Sequence, residues 1–217
     1  MLLESAKVLY TYLVNLGVSD LLIIIPVILV SMGFHEAMHA FTSHWLGDTT
    51  ASDMGRLTLN PLKHIDIVMT VLLPVMLIAL GVPPIFAAKP VPFNPDRVKF
   101  DEFGAALIGI AGPLTNLLLA IAAAGLYRLL LPSGLTQVVL EIFIVINCSF
   151  FVFNMIPFPP LDGSRLLYAL APEPLQKLMY QIETMGIGFT ILILIFLLPV
   201  IGPFISYGVN GLVNILL

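Results

Sequence analysis

Apolar and polar positions along the chain fall into long blocks rather than into short amphipathic repeats. Residues 20–46 form a strong apolar helix, with Asp20 as a reasonable N-cap and Gly47 as a stop. Residues 105–127 contain no charge and predict a second membrane span. An apolar run from Val138 to Pro157 predicts a third. Residues 184–217 are free of charge, enough for one span and a second short or re-entrant piece, divided near Gly202 and Pro203. Residues 1–17 carry Glu4 and Lys7 and read better as an interfacial helix than as a crossing.

The run at 67–82 is different. As a helix it would reach about 24 Å, short of the roughly 30 Å of hydrocarbon. Pro74 interrupts it, Pro83 and Pro84 end it, and the following AAKPVPFNPDR is too proline-rich for a helix. Segment 67–98 therefore reads as a re-entrant or edge-strand region, tolerable at membrane depth only where protein covers it or a wet cavity adjoins it. The expected fold is an all-α polytopic membrane protein with about five to six membrane helices. It forms one domain over 1–217, with a core at 20–170 and C-terminal helices at 178–217.

Composition strengthens this picture. The 217 residues are 59% hydrophobic and only 10% charged, with mean hydropathy +1.05. A soluble domain carries roughly a quarter charged residues, so the solvent of this chain is a lipid bilayer. The net charge of −4 without a basic run gives no reason to expect nucleic acid as a partner. The single cysteine, Cys148, lies in an apolar run and reads as a packed thiol.

The chemistry is concentrated in His35-Glu36-Ala37-Met38-His39, inside the first strong helix. Histidines at i and i+4 share one helix face, so both imidazoles can reach one zinc ion. The glutamate between them can reach a water on that metal and act as general base. Each such residue in an apolar helix costs a few kcal/mol unless paired or ligated, and one metal accounts for all three. The alternative is a buried polar cluster that ties helices together.

Zinc needs a third protein ligand. A histidine in HExxHxxGxxH register is missing, since Thr42 and Trp45 stand at the required positions and His44 is out of register. No glutamate occurs between Glu36 and Glu102. The candidate is Asp162 in Asn154-Met155-Ile156-Pro157-Phe158-Pro159-Pro160-Leu161-Asp162-Gly163, a proline-fixed loop closing the span 138–157. The competing reading makes Asp162 the N-cap of a short helix at 163–171.

HEAMH, GIAGPLTN at 109–116, KPVPFNP at 89–95 and NMIPFPPLDG at 154–163 together resemble the site-2 protease family of intramembrane zinc metalloproteases. The resemblance is closest to its compact prokaryotic members without a PDZ domain. It implies an endopeptidase acting on transmembrane protein substrates, with one Zn2+ per chain. It implies His35, His39 and Asp162 as zinc ligands and Glu36 as general base and acid. Asn116 and Asn154 match family asparagines near the active site and are expected to hydrogen-bond substrate backbone or stabilise the oxyanion, unless they serve helix packing. KPVPFNP would sit where an unfolded substrate strand is received by edge pairing. Gly109 and Gly112 read as close-contact positions between helices, Trp45 as an interfacial anchor, and His64 as a loop histidine rather than a second metal ligand.

Asp162 meets the histidines only if the run at 67–82 makes no crossing. On that topology Arg56, Lys63, Lys89, Arg97, Lys99, Arg165 and Lys177 lie on one side and Lys7 and Arg128 on the other. The positive-inside rule then places the site in the cytoplasmic half of a multi-pass protein of a prokaryotic cell membrane. A metal transporter or an inactive helix-binding scaffold could use the same ligands. The transporter would need a polar path through both leaflets, which 105–127 and 184–217 scarcely provide. The substrate, trigger and oligomeric state are not legible.

Overall fold

The computed structural model describes residues 18–66, 70 and 90–217. Among these residues the structure is helical, with no strand. Helix α1 spans Val18–Trp45, and a short α2 spans Thr50–Asp53. Two 3-10 turns follow, at Pro61–Lys63 and Pro95–Arg97. Helices α3 (Asp101–Leu130), α4 (Gly134–Asn154), α5 (Gly163–Leu170), α6 (Glu173–Thr184) and α7 (Ile187–Leu216) complete the chain. The interfacial helix expected at 1–17 and, Thr70 apart, the run at 67–82 lie outside the described residues.

Among the described residues four helical stretches are long and apolar enough to cross a membrane: Leu21–Trp45, Asp101–Leu130, Gly134–Asn154 and Pro199–Leu216. A fifth is counted if the bent pair Glu173–Thr184 and Gly188–Leu197 makes one crossing. The chain is an integral membrane protein. The division expected near Gly202 and Pro203 does not interrupt the helix: α7 runs through both Pro199 and Pro203. Lost backbone bonds at proline are tolerated in membrane helices where neighbours re-satisfy the freed groups.

Helix α1 begins before Asp20, which lies in its first turn, and it ends as expected at Gly47. There Asp48 N–H donates to Ser43 O at 3.1 Å and Gly47 N–H to His44 O at 3.0 Å. This paired closure requires a left-handed residue, and Gly47 supplies it with φ +103°. Trp45 stands largely exposed at this end, as an interfacial anchor would.

The bundle packs through small and branched side chains. Ala120, Ala123 and Ala124 of α3 bring it close to Ile144 and Cys148 of α4 and to Val209 and Val213 of α7. Ile24, Ile28 and Met32 of α1 pack against Ile142, Ile146 and Phe150 of α4. Lipid offers no hydrophobic driving force for such association, so close van der Waals contact has to supply it, and alanine permits the approach.

Lys99 N–H donates to Leu46 O at 2.9 Å. Helix α1 therefore ends, and α3 begins, at the same end of the bundle. Helices α3 and α4 then carry the chain away and back, which returns the loop after α4 to the end where α1 finished. That topology is the one on which the meeting of Asp162 with the histidines depends.

Candidate metal centre

Helix α1 presents His35, Glu36 and His39 to the bundle interior, each no more than 9% exposed. Their spacing puts the two imidazoles one turn apart, with ring centroids 4.7 Å apart. The Nε2 atoms stand 3.0 Å from each other. Asp162 Oδ2 lies 3.0 Å from His35 Nε2 and 3.4 Å from His39 Nε2. Three potential ligand atoms thus converge within 4.8 Å of one another.

Asp162 immediately precedes α5, yet its side chain makes no capping hydrogen bond. Its carboxylate turns to the histidines instead. Its carboxyl is held well below the usual carboxylate range: burial opposes the charge, but the facing His39 and His35 imidazoles outweigh it.

The outer nitrogens of both rings are also engaged. His39 Nδ1–H donates to the Ile108 carbonyl at 2.7 Å, and His35 Nδ1 lies 2.6 Å from Asn116 Oδ1. A carbonyl can only accept, so His39 carries a proton on Nδ1, and the neutral ring, the form that ligates a metal, turns its lone pair inward at Nε2. An inward-facing lone pair beside a carboxylate is the donor set for a cation, and two imidazoles with one carboxylate suit zinc.

The space for that cation depends on α3. A Cβ at Gly112 would collide with His39 Nε2 and lie 2.7 Å from His35 Nε2. Glycine at this position keeps the centre of the triad clear. The sequence reading of Gly112 as a close-contact position caught the contact without identifying what it touches.

Glu36, between the two histidines in sequence, reaches residues 90–94. Its Oε2 accepts the Val91 N–H at 3.1 Å. Farther along, Asn94 N–H donates to Asp48 Oδ2 at 2.8 Å, and the Arg165 guanidinium sits 5.8 Å from the Phe93 ring centroid. The described part of KPVPFNP before Pro95 is neither helix nor strand, with Asn94 in the extended region, and it is tied to α1 through Glu36 and lies against Arg165 of α5.

Asp48 was not singled out by sequence. Besides the Asn94 N–H, its carboxylate accepts from Ser43 Oγ at 3.1 Å, from Thr50 N–H at 3.0 Å and from Thr50 Oγ1 at 2.6 Å. Burial disfavours its charge, but the bonds from Thr50, Asn94 and Ser43 outweigh that and hold its carboxyl below the ordinary value. The only signal in sequence is its place directly after the Gly47 stop.

Asn116 is fully buried at the centre of α3, whereas Asn154 is half-buried at the end of α4 and donates to the Phe150 carbonyl at 3.0 Å. His64 is buried in the loop after α2, with Nε2 2.9 Å from Thr58 O, and it does not join the triad.

Helices of membrane-spanning length around a buried His-His-carboxylate group define a membrane protein with a candidate metal centre. The family model described as peptidase family M50 matches residues 130–198, a stretch that includes Asp162. The chain is 32% identical over 201 residues to "Putative zinc metalloprotease YwhC" of Bacillus subtilis (strain 168), covering 87% of this chain and 88% of that protein. It is 29% identical over 174 residues to "Putative zinc metalloprotease Rip2" of Mycolicibacterium smegmatis, covering 77% of this chain and 64% of that protein. Against the protein of the same name from Mycobacterium tuberculosis (strain ATCC 25618 / H37Rv) it is again 29% identical, covering 79% of this chain and 65% of that one. No solved structure matches the chain significantly. The chain belongs to peptidase family M50, the site-2 protease family of zinc metalloproteases.

Proposed function

We propose that this protein is an intramembrane zinc endopeptidase that cuts transmembrane protein substrates. In this reading His35, His39 and Asp162 hold one zinc ion and Glu36 is the general base. The observation that carries it is the convergence of two imidazole Nε2 atoms and Asp162 Oδ2 on one point, beside a glutamate on the same helix.

Zinc bound there would supply Lewis acidity, acidifying water towards neutral pKa and polarising the scissile carbonyl. Glu36 takes a proton from the attacking water on its carboxylate and passes it to the departing amine nitrogen. Residues 90–94 adjoin Glu36 through Val91 and offer a backbone free of helix, beside which a substrate strand can lie. Asn154, in the stretch that bears Asp162, is the side chain assigned to substrate backbone or oxyanion. The centre faces the cytoplasmic half of the bilayer, because the lysines and arginines gather at the end of the bundle where α1 finishes.

The test is cleavage of a panel of single-span membrane proteins co-expressed with the wild type or with Glu36→Gln. Loss of a general base lowers rate by about 10²–10⁴-fold, so products present with wild type should vanish with the variant while bound zinc is retained. A panel cut identically by both would overturn the assignment of Glu36.

A further inference from the structure

His35 and His39 are fixed at Nδ1 by different means. His39 meets a backbone carbonyl, Ile108 O, and that settles its tautomer in one step. His35 meets a side-chain amide, that of Asn116, whose oxygen and nitrogen could exchange places by a half-turn. Which atom faces the imidazole therefore depends on what lies behind Asn116.

Behind it stands Asn147 of α4, and the orientations follow from two carbonyls. Asn147 Nδ2 lies 2.8 Å from the Phe143 carbonyl. A carbonyl only accepts, so the amino group of Asn147 must point there and to Ser31 Oγ, 2.9 Å away. Its Oδ1 is then turned to Asn116, which donates to it from Nδ2 at 2.8 Å. The same Asn116 amino group lies 3.3 Å from the Ser31 carbonyl, a second group that only accepts. Asn116 Oδ1 is left facing His35 at 2.6 Å, and it requires a proton on Nδ1. The lone pair of His35 is thereby directed through Nε2 at Asp162 and His39. Ser31, Asn116 and Asn147 are all fully buried, so water cannot substitute for a lost link.

We propose that Asn147 is a positioning residue for the metal centre, setting the His35 tautomer through Asn116. The inference rests on the zinc reading of the site. It gives Asn116 a holding role rather than direct contact with substrate, and it gives the polar group at 147 in α4 a specific use. Reversing the relay would turn the Asn116 amino group to His35, which sets N–H against Nδ1–H or moves the ring proton to Nε2 and aims it into the ligand set. Either change weakens metal binding, as loss of outer hydrogen-bond partners of ligating histidines does by roughly 10–100-fold.

The test measures zinc affinity of the full chain in detergent by competition with a chromophoric chelator, with helical circular dichroism recorded alongside. Asn147→Leu is expected to weaken zinc by about 10–100-fold with the helical signal kept. In an Asn116→Asp background either carboxylate oxygen accepts from His35, so the amide relay no longer matters and Asn147→Leu should lose most of its effect. Equal losses in both backgrounds would mean that position 147 acts by packing alone, and an unchanged affinity in Asn147→Leu would also sink the relay. Should Asn147→Leu fail to fold, ¹⁵N spectra of histidine-labelled wild type without metal, at a pH where the rings are neutral, decide the matter. The His35 proton belongs on Nδ1, and a proton on Nε2 overturns the proposal. A wild-type chain that takes up no zinc overturns the metal reading itself, whereas zinc uptake insensitive to Asn147 overturns only the relay.

Discussion

Asp162 Oδ2 stands 3.0 Å from His35 Nε2, joining the loop after α4 to the middle of the bundle's first described helix. The carboxylate would ordinarily cap α5, and its commitment to the histidines gives a direct test of the ligand set. Asp162→Asn, His35→Gln and His39→Gln should each lower zinc affinity by more than the roughly 100-fold upper range seen for outer partners. Metal analysis after dialysis against a weak chelator checks this. Retained one-to-one zinc in any of the three would remove that residue from the set.

Gly112→Ala isolates the space between the ligands from the stability of α3. Alanine favours a helix over glycine by roughly 1 kcal/mol, so the helix itself should be unharmed. The added methyl would nevertheless strike both imidazole Nε2 atoms. Zinc content and cleavage should both fall, by about 100-fold or more if the metal is displaced as thoroughly as by loss of a ligand. Normal zinc occupancy in a folded Gly112→Ala chain would refute the placement of the metal between these atoms.

Asp48→Ala should loosen residues 90–94 without touching the triad. It strips the acceptor from Asn94 N–H, from Thr50 and from Ser43, and unsatisfied buried donors cost about 1–3 kcal/mol. Limited proteolysis near 90–98 should quicken, and melting in detergent should shift down. The pH dependence has a definite sign. A carboxyl whose folded pKa is depressed contributes stability above its unfolded value, about 3.9, and loses it as pH falls through the folded value. The melting gap between wild type and Asp48→Ala should therefore be full at neutral pH and should narrow below about pH 4. A gap independent of pH would show that the Asp48 charge is not involved.

Orientation can be read by thiol labelling, because the one native cysteine, Cys148, is fully buried. Lys63→Cys and Ser133→Cys place exposed thiols at opposite ends of the bundle. With the site in the cytoplasmic half, a membrane-impermeant reagent should label residue 133 in intact cells, and residue 63 only after permeabilisation. The reverse pattern would invert the topology.

Much of the fold was legible because membrane helices declare themselves by composition. The spans around 20–46, 105–127 and 138–157 are close to α1, α3 and α4, since every backbone polar group in lipid must be satisfied within a helix. Less was legible at the C-terminus. Pro199 and Pro203 look like breaks in a sequence but lie inside α7, where helical context tolerates them. Over residues 90–94 the prolines correctly excluded a helix, although Pro95 opens a 3-10 turn, and they could not indicate that Val91 N–H meets Glu36 or that Asn94 N–H meets Asp48.

By itself the sequence determined the solvent of this protein and the one place where its rare polar groups required a common explanation. HEAMH is local, and helical periodicity alone puts both histidines on one face. Only the tertiary structure decided what completes that face. Asp162 arrives because α3 and α4 return the chain to the end where α1 finished. Gly112 clears the centre because α3 presses against α1 there, and Asn147 reaches His35 only through Asn116. These are contacts between segments distant along the chain. A pattern of residue types carries no distances between helices, whereas hydrogen bonds with one permitted polarity, once brought together, determine which atoms of the histidines face inward.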